Sequence, residues 1–180
     1  CIHQDIKSSG VMTGFNLFFS MLNHVNYDPS MRWLVDVAYV NDIPSKPGWY
    51  LIETDTPIDV LESIGDPLYK AHTNIPETIK NTSGLISLGA TIKQLGNGYY
   101  VVYNGEAHNL KARAGEHIHG HEKTFCLGLA DYPTLNNHSH NWRFHYACMA
   151  DCRGLPDDDK AIRLLLEQAW RVKHGWPILC

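Results

Sequence analysis

The chain has little charge and no excess of positive residues. Its 15 lysines and arginines face 19 aspartates and glutamates across 180 residues, for a net charge of −4 and a pI near 6.2. That balance argues against a broad basic coat for nonspecific nucleic-acid binding and leaves room only for a local basic groove. No apolar run reaches membrane-spanning length, and the longest, near Phe15 to Leu22, is interrupted by polar residues. Five cysteines, Cys1, Cys126, Cys148, Cys152 and Cys180, are odd in number and irregular in spacing, so they do not form a disulfide framework. Internal repeats, low-complexity tracts, long linkers and a secretory signal pattern are all missing from view. These absences point to a reducing, cytoplasmic setting with no membrane partner. A start at Cys1 rather than Met gives the expectation that a segment has been removed or left unnumbered.

Hydrophobic residues make up 44% of the chain and charged residues 19%, ordinary values for a globular protein with one sizeable core. A single domain over 1–180 is therefore expected. Residues 11 to 25, with Val11, Phe15, Phe18 and Leu22, read as a short amphipathic helix. After a proline-bounded loop at Pro44 to Pro47, Trp49 to Glu53 reads as a strand, and Pro57 to Ile64 as a short helix. The pattern from about Thr73 to Asn97 is mixed. Trp142 to Cys148 alternates as a strand. Asp157-Asp158-Asp159 then opens the clearest helix, which Gly175 and Pro177 close. Its apolar stripe is read as Ile162, Leu165, Leu166, Ala169 and Val172. Glu167 lies roughly 140° around from Ile162, off that stripe and able to face a groove.

The most informative stretch is Gly98 to His117. Tyr99 to Tyr103 favours a strand, Asn104-Gly105 marks a tight turn, and Leu110 to Ala114 are mostly good helix formers. Arg113 and His117, four apart, share one helical face. A phenol, a guanidinium and an imidazole brought together suit chemistry on a phosphate, whose geometry the planar guanidinium fork matches. Taken singly, each has a blander role. A strand tyrosine usually packs, an isolated helical arginine is solvated or ion-paired, and a glutamate on an amphipathic helix is normally exposed.

With Gly48-Trp49-Tyr50 upstream, this segment resembles the GIY-YIG nuclease family. There a Gly-x-Tyr strand pairs with a Tyr-x-Gly strand. A helix then carries an arginine ten residues after the second tyrosine and, in many members, a histidine four further on. Tyr103 to Arg113 is ten residues and Arg113 to His117 is four. The order Tyr50, Tyr103, Arg113, the Trp142 strand and Glu167 follows the family over about 46–180, with an insertion at about 55–97 and an N-terminal extension over 1–45. The resemblance implies an α/β (α+β) fold, a small central antiparallel three-stranded sheet flanked by helices. It implies hydrolysis of DNA phosphodiester bonds with Mg2+ or Mn2+ held by Glu167. Tyr50 is expected to act as base or to position the water, and Tyr103 to contact the phosphate or that water. Arg113 would grip the phosphate, while His117 assists proton transfer or binds phosphate. Lys111 and His121 are additional candidates. A compact enzyme with insertions looks most like a stand-alone restriction endonuclease acting on double-stranded DNA, for which a homodimer supplies two cutting sites. Three positions depart from the family pattern. Asn104 replaces an apolar residue inside the second motif, Trp49 is bulky inside the first, and Cys180 stands where an asparagine would follow Trp176-Pro177, so that either a supporting hydrogen bond is lost or the chain has been cut or altered there.

His119, His121, His138, His140 and His145, with Cys126, Cys148 and Cys152, also invite a structural Zn2+ hypothesis, although no standard ligand spacing singles out four of them. Two competing functions follow from other features. An amidohydrolase could use the Cys1 thiol as an N-terminal nucleophile with its own amine as base. A noncatalytic, zinc-stabilised binding module could use the His/Cys cluster.

Overall fold

The computed structural model describes residues 23–26, 37–69, 73–87, 98–135, 140–152 and 154–180. The strands are β1 (Asn23–Asn26), β2 (Gly48–Thr54), β3 (Tyr100–Ala107) and β4 (Trp142–Cys148). The helices are α1 (Val37–Asp42), α2 (Ile58–Ser63), α3 (Ile75–Ser87), α4 (Leu110–His119) and α5 (Lys160–His174). The α+β class and the antiparallel pairing of β2, β3 and β4 agree with the sequence reading, and a fourth strand extends the sheet to the order β1-β4-β2-β3. None of the helices described is long and apolar enough to cross a membrane.

The added strand corrects the helix expected over 11–25. Residues 11–22 lie outside the described residues, while Asn23–Asn26 pairs with Arg143 to Tyr146. That tetrapeptide carries little of the apolar periodicity seen before it, and the outer edge of β4 offers its backbone a ladder of partners. Cys1 likewise lies outside the described residues.

The two faces of the sheet bury different things. On one, Tyr50, Ile52, Tyr100, Val102, Trp142 and Phe144 join the helices α1 to α4 in the larger core. On the other, Trp49, Leu51, Val101 and Ala147 pack under Leu166 and Trp170 of α5. Trp49 also donates through its indole N–H to the carbonyl of Arg163, 2.9 Å away, so the bulky residue inside the first motif anchors the last helix. The helix begins where expected, with the Asp159 carboxylate accepting from the N–H groups of Ala161 and Ile162 at 2.8 and 3.2 Å. Its buried stripe is not the expected one. Leu165 and Val172 are exposed, and Arg163, Leu166 and Trp170 face the sheet. The purely apolar stripe overlooked that a buried arginine can reach carboxylates, here those of Glu106, 2.7 Å away, and Asp158.

Strand β3 runs through the expected turn. Asn104 pairs with Leu51 and Gly105 with Tyr50, and the strand ends only at Ala107. The Asn-Gly signal is overridden because β2 supplies a full partner strand and because Tyr50 needs a residue without a side chain opposite it. A bulge at Val102 breaks the alternation: Ile52 pairs with Tyr103, but Glu53 pairs with Val101. Tyr103, two residues from Gly105, shares the face of Tyr50 by alternation, and the extra residue lets Tyr100 and Val102 join the same core. The bulge also frees the Val102 carbonyl to accept from Leu179 N–H at 2.9 Å, which docks the 179–180 segment against β3. The insertion contains α2 and α3, and the mixed stretch after Thr73 is helical from Ile75 to Ser87.

On the α5 side, Glu53 is almost wholly buried, 2.8 Å from His145 Nε2 and 3.3 Å from Arg143 NH1. Burial alone would push its carboxyl up, but His145 and Arg143 outweigh this and hold it below the ordinary range. A carboxyl held low in the folded state stabilises the fold above its unfolded pKa, and that contribution is lost as pH falls through the folded value. Glu53→Gln should therefore cost about 2 kcal/mol at neutral pH and flatten the acid limb of stability measured by urea unfolding. An unchanged acid limb would contradict this account.

Candidate active site

Helix α4 is placed by its own N-terminus. The N–H groups of Leu110 and Lys111, orphans at a helix start, donate to the carbonyls of Lys46 and Pro44 at 3.0 and 3.3 Å. Asn109 caps the same end, its side chain accepting from Ala112 N–H at 3.0 Å. The loop leading into β2 therefore holds the helix. Gly48 lets it sit close, since a Cβ there would lie 2.9 Å from Leu110 Cδ1 and clash with the Ala147 carbonyl.

One turn in, Arg113 and His117 both reach the Tyr50 hydroxyl. Arg113 Nε donates to it at 2.9 Å, and His117 Nε2 lies 3.0 Å away. The other histidine nitrogen, Nδ1, accepts from Leu127 N–H at 3.2 Å. That bond assigns the imidazole proton to Nε2, so His117 also donates to Tyr50. Burial and the neighbouring Arg113 both push the His117 pKa well below its usual value, which keeps the ring neutral. Tyr50 thus accepts two hydrogen bonds while burial, against the pull of Arg113, raises its own pKa well above 10. Its ring lies between Phe144 and Tyr103, stacked at centroid distances of 5.1 and 6.2 Å.

Tyr103 differs from Tyr50 in being partly open, on the wall of a large cavity. Burial and then Cys180 raise its pKa, and Arg113 lowers it by charge and a hydrogen bond. Arg113 is held on every side. NH1 meets Glu116 Oε2 at 2.8 Å and NH2 donates to the Phe125 carbonyl at 2.5 Å. These, with the bonds to Tyr50 and Tyr103, engage most of its five guanidinium N–H groups.

Glu167 approaches from the opposite face around the sheet edge. It lines a small cleft together with Tyr50, Asn104 and Gly105. Burial raises its pKa despite Arg171, whose NH2 lies 2.7 Å from Oε1. Arg171 is fixed in turn by Asn104, donating from Nε to the side-chain oxygen at 2.8 Å and from NH2 to the backbone carbonyl at 3.2 Å. The polar residue inside the second motif therefore positions the arginine that positions Glu167. Cys180 sits over the same residue, with Sγ 3.3 Å from Asn104 N, so a contact to the motif backbone exists where the missing asparagine raised doubt. Burial pushes that thiol up to about 11.

The expected set of Tyr50, Tyr103, Arg113 and His117 thus comes together, with Glu167 across the edge. Tyr50 and His117 are only 2% and 1% exposed, so of the four side chains only Tyr103 and Arg113 can be reached from solvent. Lys111 lies roughly 200° around the helix from Arg113, away from Tyr50. His121 is exposed beyond the end of α4, its Nδ1 accepting from Lys123 N–H at 3.2 Å. Asn104, Arg171 and Glu116 were missed as supporting residues, although Glu167 and Arg171 at i, i+4 carried a signal for one link.

Glu167 offers a single carboxylate, with Oε1 already paired to Arg171, in a crevice of only about 10 Å3. For zinc, the eight candidates scatter. His119 and His121 are exposed, His145 and the three cysteines are buried, His140 stands 3.8 Å from Asp55, and His138 lies outside the described residues. Among the described residues no group of three or more histidine, cysteine, aspartate or glutamate side chains is placed to hold a metal. The four described cysteines are free thiols. Comparison with protein-family models, curated proteins and solved structures returned no match to this chain.

A Cβ on Gly105 would lie 2.5 Å from the Tyr50 hydroxyl oxygen and 2.7 Å from Cζ. Gly105→Ala should destabilise the fold by about 1–3 kcal/mol through overpacking. Combined with Tyr50→Phe, which removes the nearest clashing atom, the cost should be smaller than the sum of the two single costs in a urea-unfolding cycle. Strict additivity would mean that Gly105 does not act through Tyr50.

Proposed function

We propose that the protein is a metal-dependent endonuclease that hydrolyses DNA phosphodiester bonds, of the GIY-YIG type. The observation that carries this reading is the convergence of Arg113 and His117 on the Tyr50 hydroxyl, with Tyr103 stacked beside it. The family spacing alone required no such meeting.

Arg113 is the phosphate ligand. Released from Glu116 and the Phe125 carbonyl, its N–H groups would form a planar fork that a non-bridging phosphate oxygen can enter. Tyr50 fixes the guanidinium at Nε, and His117, a neutral donor, fixes Tyr50. Tyr103 orients the attacking water, because it is the tyrosine with an open side and it lies beside Arg113. Glu167 is the carboxylate that would hold Mg2+ or Mn2+, with Arg171 giving up its hold on Oε1. Bound there, the ion would supply Lewis-acid stabilisation of the leaving oxygen. Asn104 and Arg171 keep the carboxylate at the sheet edge, and a phosphate lying across β3 would be reached from both sides. A stand-alone restriction enzyme on duplex DNA, acting as a homodimer, is the form of activity this reading favours.

The test is cleavage of duplex DNA with and without added Mg2+ or Mn2+. Arg113→Ala should lower the rate about 100- to 1000-fold, as removal of one electrostatic contact to the reacting group does, and Glu167→Gln should be similarly impaired. Activity of Arg113→Ala equal to wild type would end the proposal.

A further inference from the structure

A cavity of about 640 Å3 opens directly beside Tyr103. This is the size range of sites that enclose a small organic ligand. One side is built by the insertion, from Asp66 after α2 and from Glu77 and Asn81 along α3. The other is built by Tyr103, Phe125 and the 179–180 segment. The lining that is described carries two carboxylates, several amides and hydroxyls, two aromatic rings and no lysine or arginine. A phosphate would meet repulsion there. A flat heteroaromatic ring with N–H donors on its edge meets acceptors on one side and ring faces on the other.

The rings are not ordinary core residues. Phe125 is 84% exposed, an unusual state for a large apolar side chain, and its own backbone carbonyl holds Arg113 NH2. Leu68 and Tyr69, next to Asp66, are also exposed. The acceptor side is pre-set as well. Asn74 caps α3, its side-chain oxygen accepting from Glu77 N–H at 3.1 Å, and its amide donates to Asp66 Oδ1 at 3.0 Å. One short segment thus fixes both carboxylate-bearing residues relative to the helix.

We infer that the cavity between α3 and Phe125 receives a nucleobase turned out of the stack beside the cleaved phosphate, stacked on an aromatic ring and read at its edge by Asp66 and Glu77, with guanine favoured. This rests on the nuclease reading, since Tyr103 and Arg113 place the reacting phosphate at the cavity mouth. Bases extruded by other enzymes are recognised by stacking together with hydrogen bonds to the pairing edge. Guanine presents adjacent ring and amino N–H donors, which one carboxylate accepts as a pair, in the manner of a bidentate guanidinium. Thymine presents one N–H between two carbonyl oxygens, which the carboxylates repel. The insertion then has a role the catalytic residues do not: it selects the nucleotide at the cut.

Nucleosides test this without phosphate contacts or cleavage. Saturation-transfer NMR titrations of the full chain with guanosine and with thymidine should give guanosine binding at least about tenfold tighter. Phe125→Ala should weaken guanosine binding about tenfold, the scale of one lost base–aromatic stack. Glu77→Gln, on an exposed helical position, should reduce the preference over thymidine. Absence of guanosine binding, equal binding of the two nucleosides, or wild-type binding by both variants would overturn the inference. DNA cleavage by the same preparations separates the two proposals. Cleavage without nucleoside binding retains the nuclease and removes the base pocket. Selective guanosine binding without cleavage under any divalent ion removes the nuclease reading and leaves a nucleoside site.

Discussion

The site depends on one oxygen. The Tyr50 hydroxyl takes hydrogen bonds from Arg113 and His117, and through them the central strand β2 is tied to α4. Each donor has its own backing: His117 is set by the Leu127 backbone N–H, and Arg113 by Glu116 and the Phe125 carbonyl. An unpartnered buried donor costs about 1–3 kcal/mol, so the three side chains enforce one arrangement. Gly105 is part of the same junction, because any side chain opposite Tyr50 would occupy the space of its phenol. The two glycines of the paired motifs thereby acquire distinct steric causes. Gly48 admits β4 and α4, and Gly105 admits the ring of Tyr50.

Much of this was legible because short-range spacing and long-range pairing agreed. Strands β2 and β4 were visible in alternation and β-branched or aromatic content, and the start and end of α5 in Asp159 and Gly175. The common helical face of Arg113 and His117 followed from their separation of four. What escaped was decided by partners far away in sequence. Asn104-Gly105 has the local chemistry of a turn, yet Leu51 and Tyr50 recruit it into a ladder. The Val102 bulge has no local signature, yet it lets Tyr100, Val102 and Tyr103 all join the core that holds Tyr50. The buried side of α5 escaped because Arg163 was counted as polar and hence exterior, while Glu106 and Asp158 make its burial tolerable. The difference between the tyrosines escaped for a related reason: sequence shows that two are present, but only packing shows which is enclosed.

Among the described residues, strand β3 is the last at its end of the sheet, and this is why both halves of the site can meet. Beyond the bulge its residues serve the two faces by turns. Tyr103 and Gly105 belong with Tyr50, while Asn104 and Glu106 belong with α5, where they hold Arg171 and Arg163. Had another strand covered this edge, Glu167 would be separated from the tyrosines by a full sheet. At an uncovered edge the separation is the width of one strand, narrowed further where Gly105 has no side chain. Tyr50 and Glu167 therefore both border the small crevice between this edge and α5. Free edges usually need protection against unwanted pairing. Here the docked Leu179 N–H takes up the Val102 carbonyl, Arg171 takes up that of Asn104, and the Cys180 thiol covers Asn104 N–H. Edge protection and positioning of the carboxylate are accomplished by the same few residues. The polar residue in the second motif is thus a structural requirement of the arrangement, since an apolar side chain at 104 would leave Arg171 without its side-chain acceptor and Glu167 with a less constrained partner.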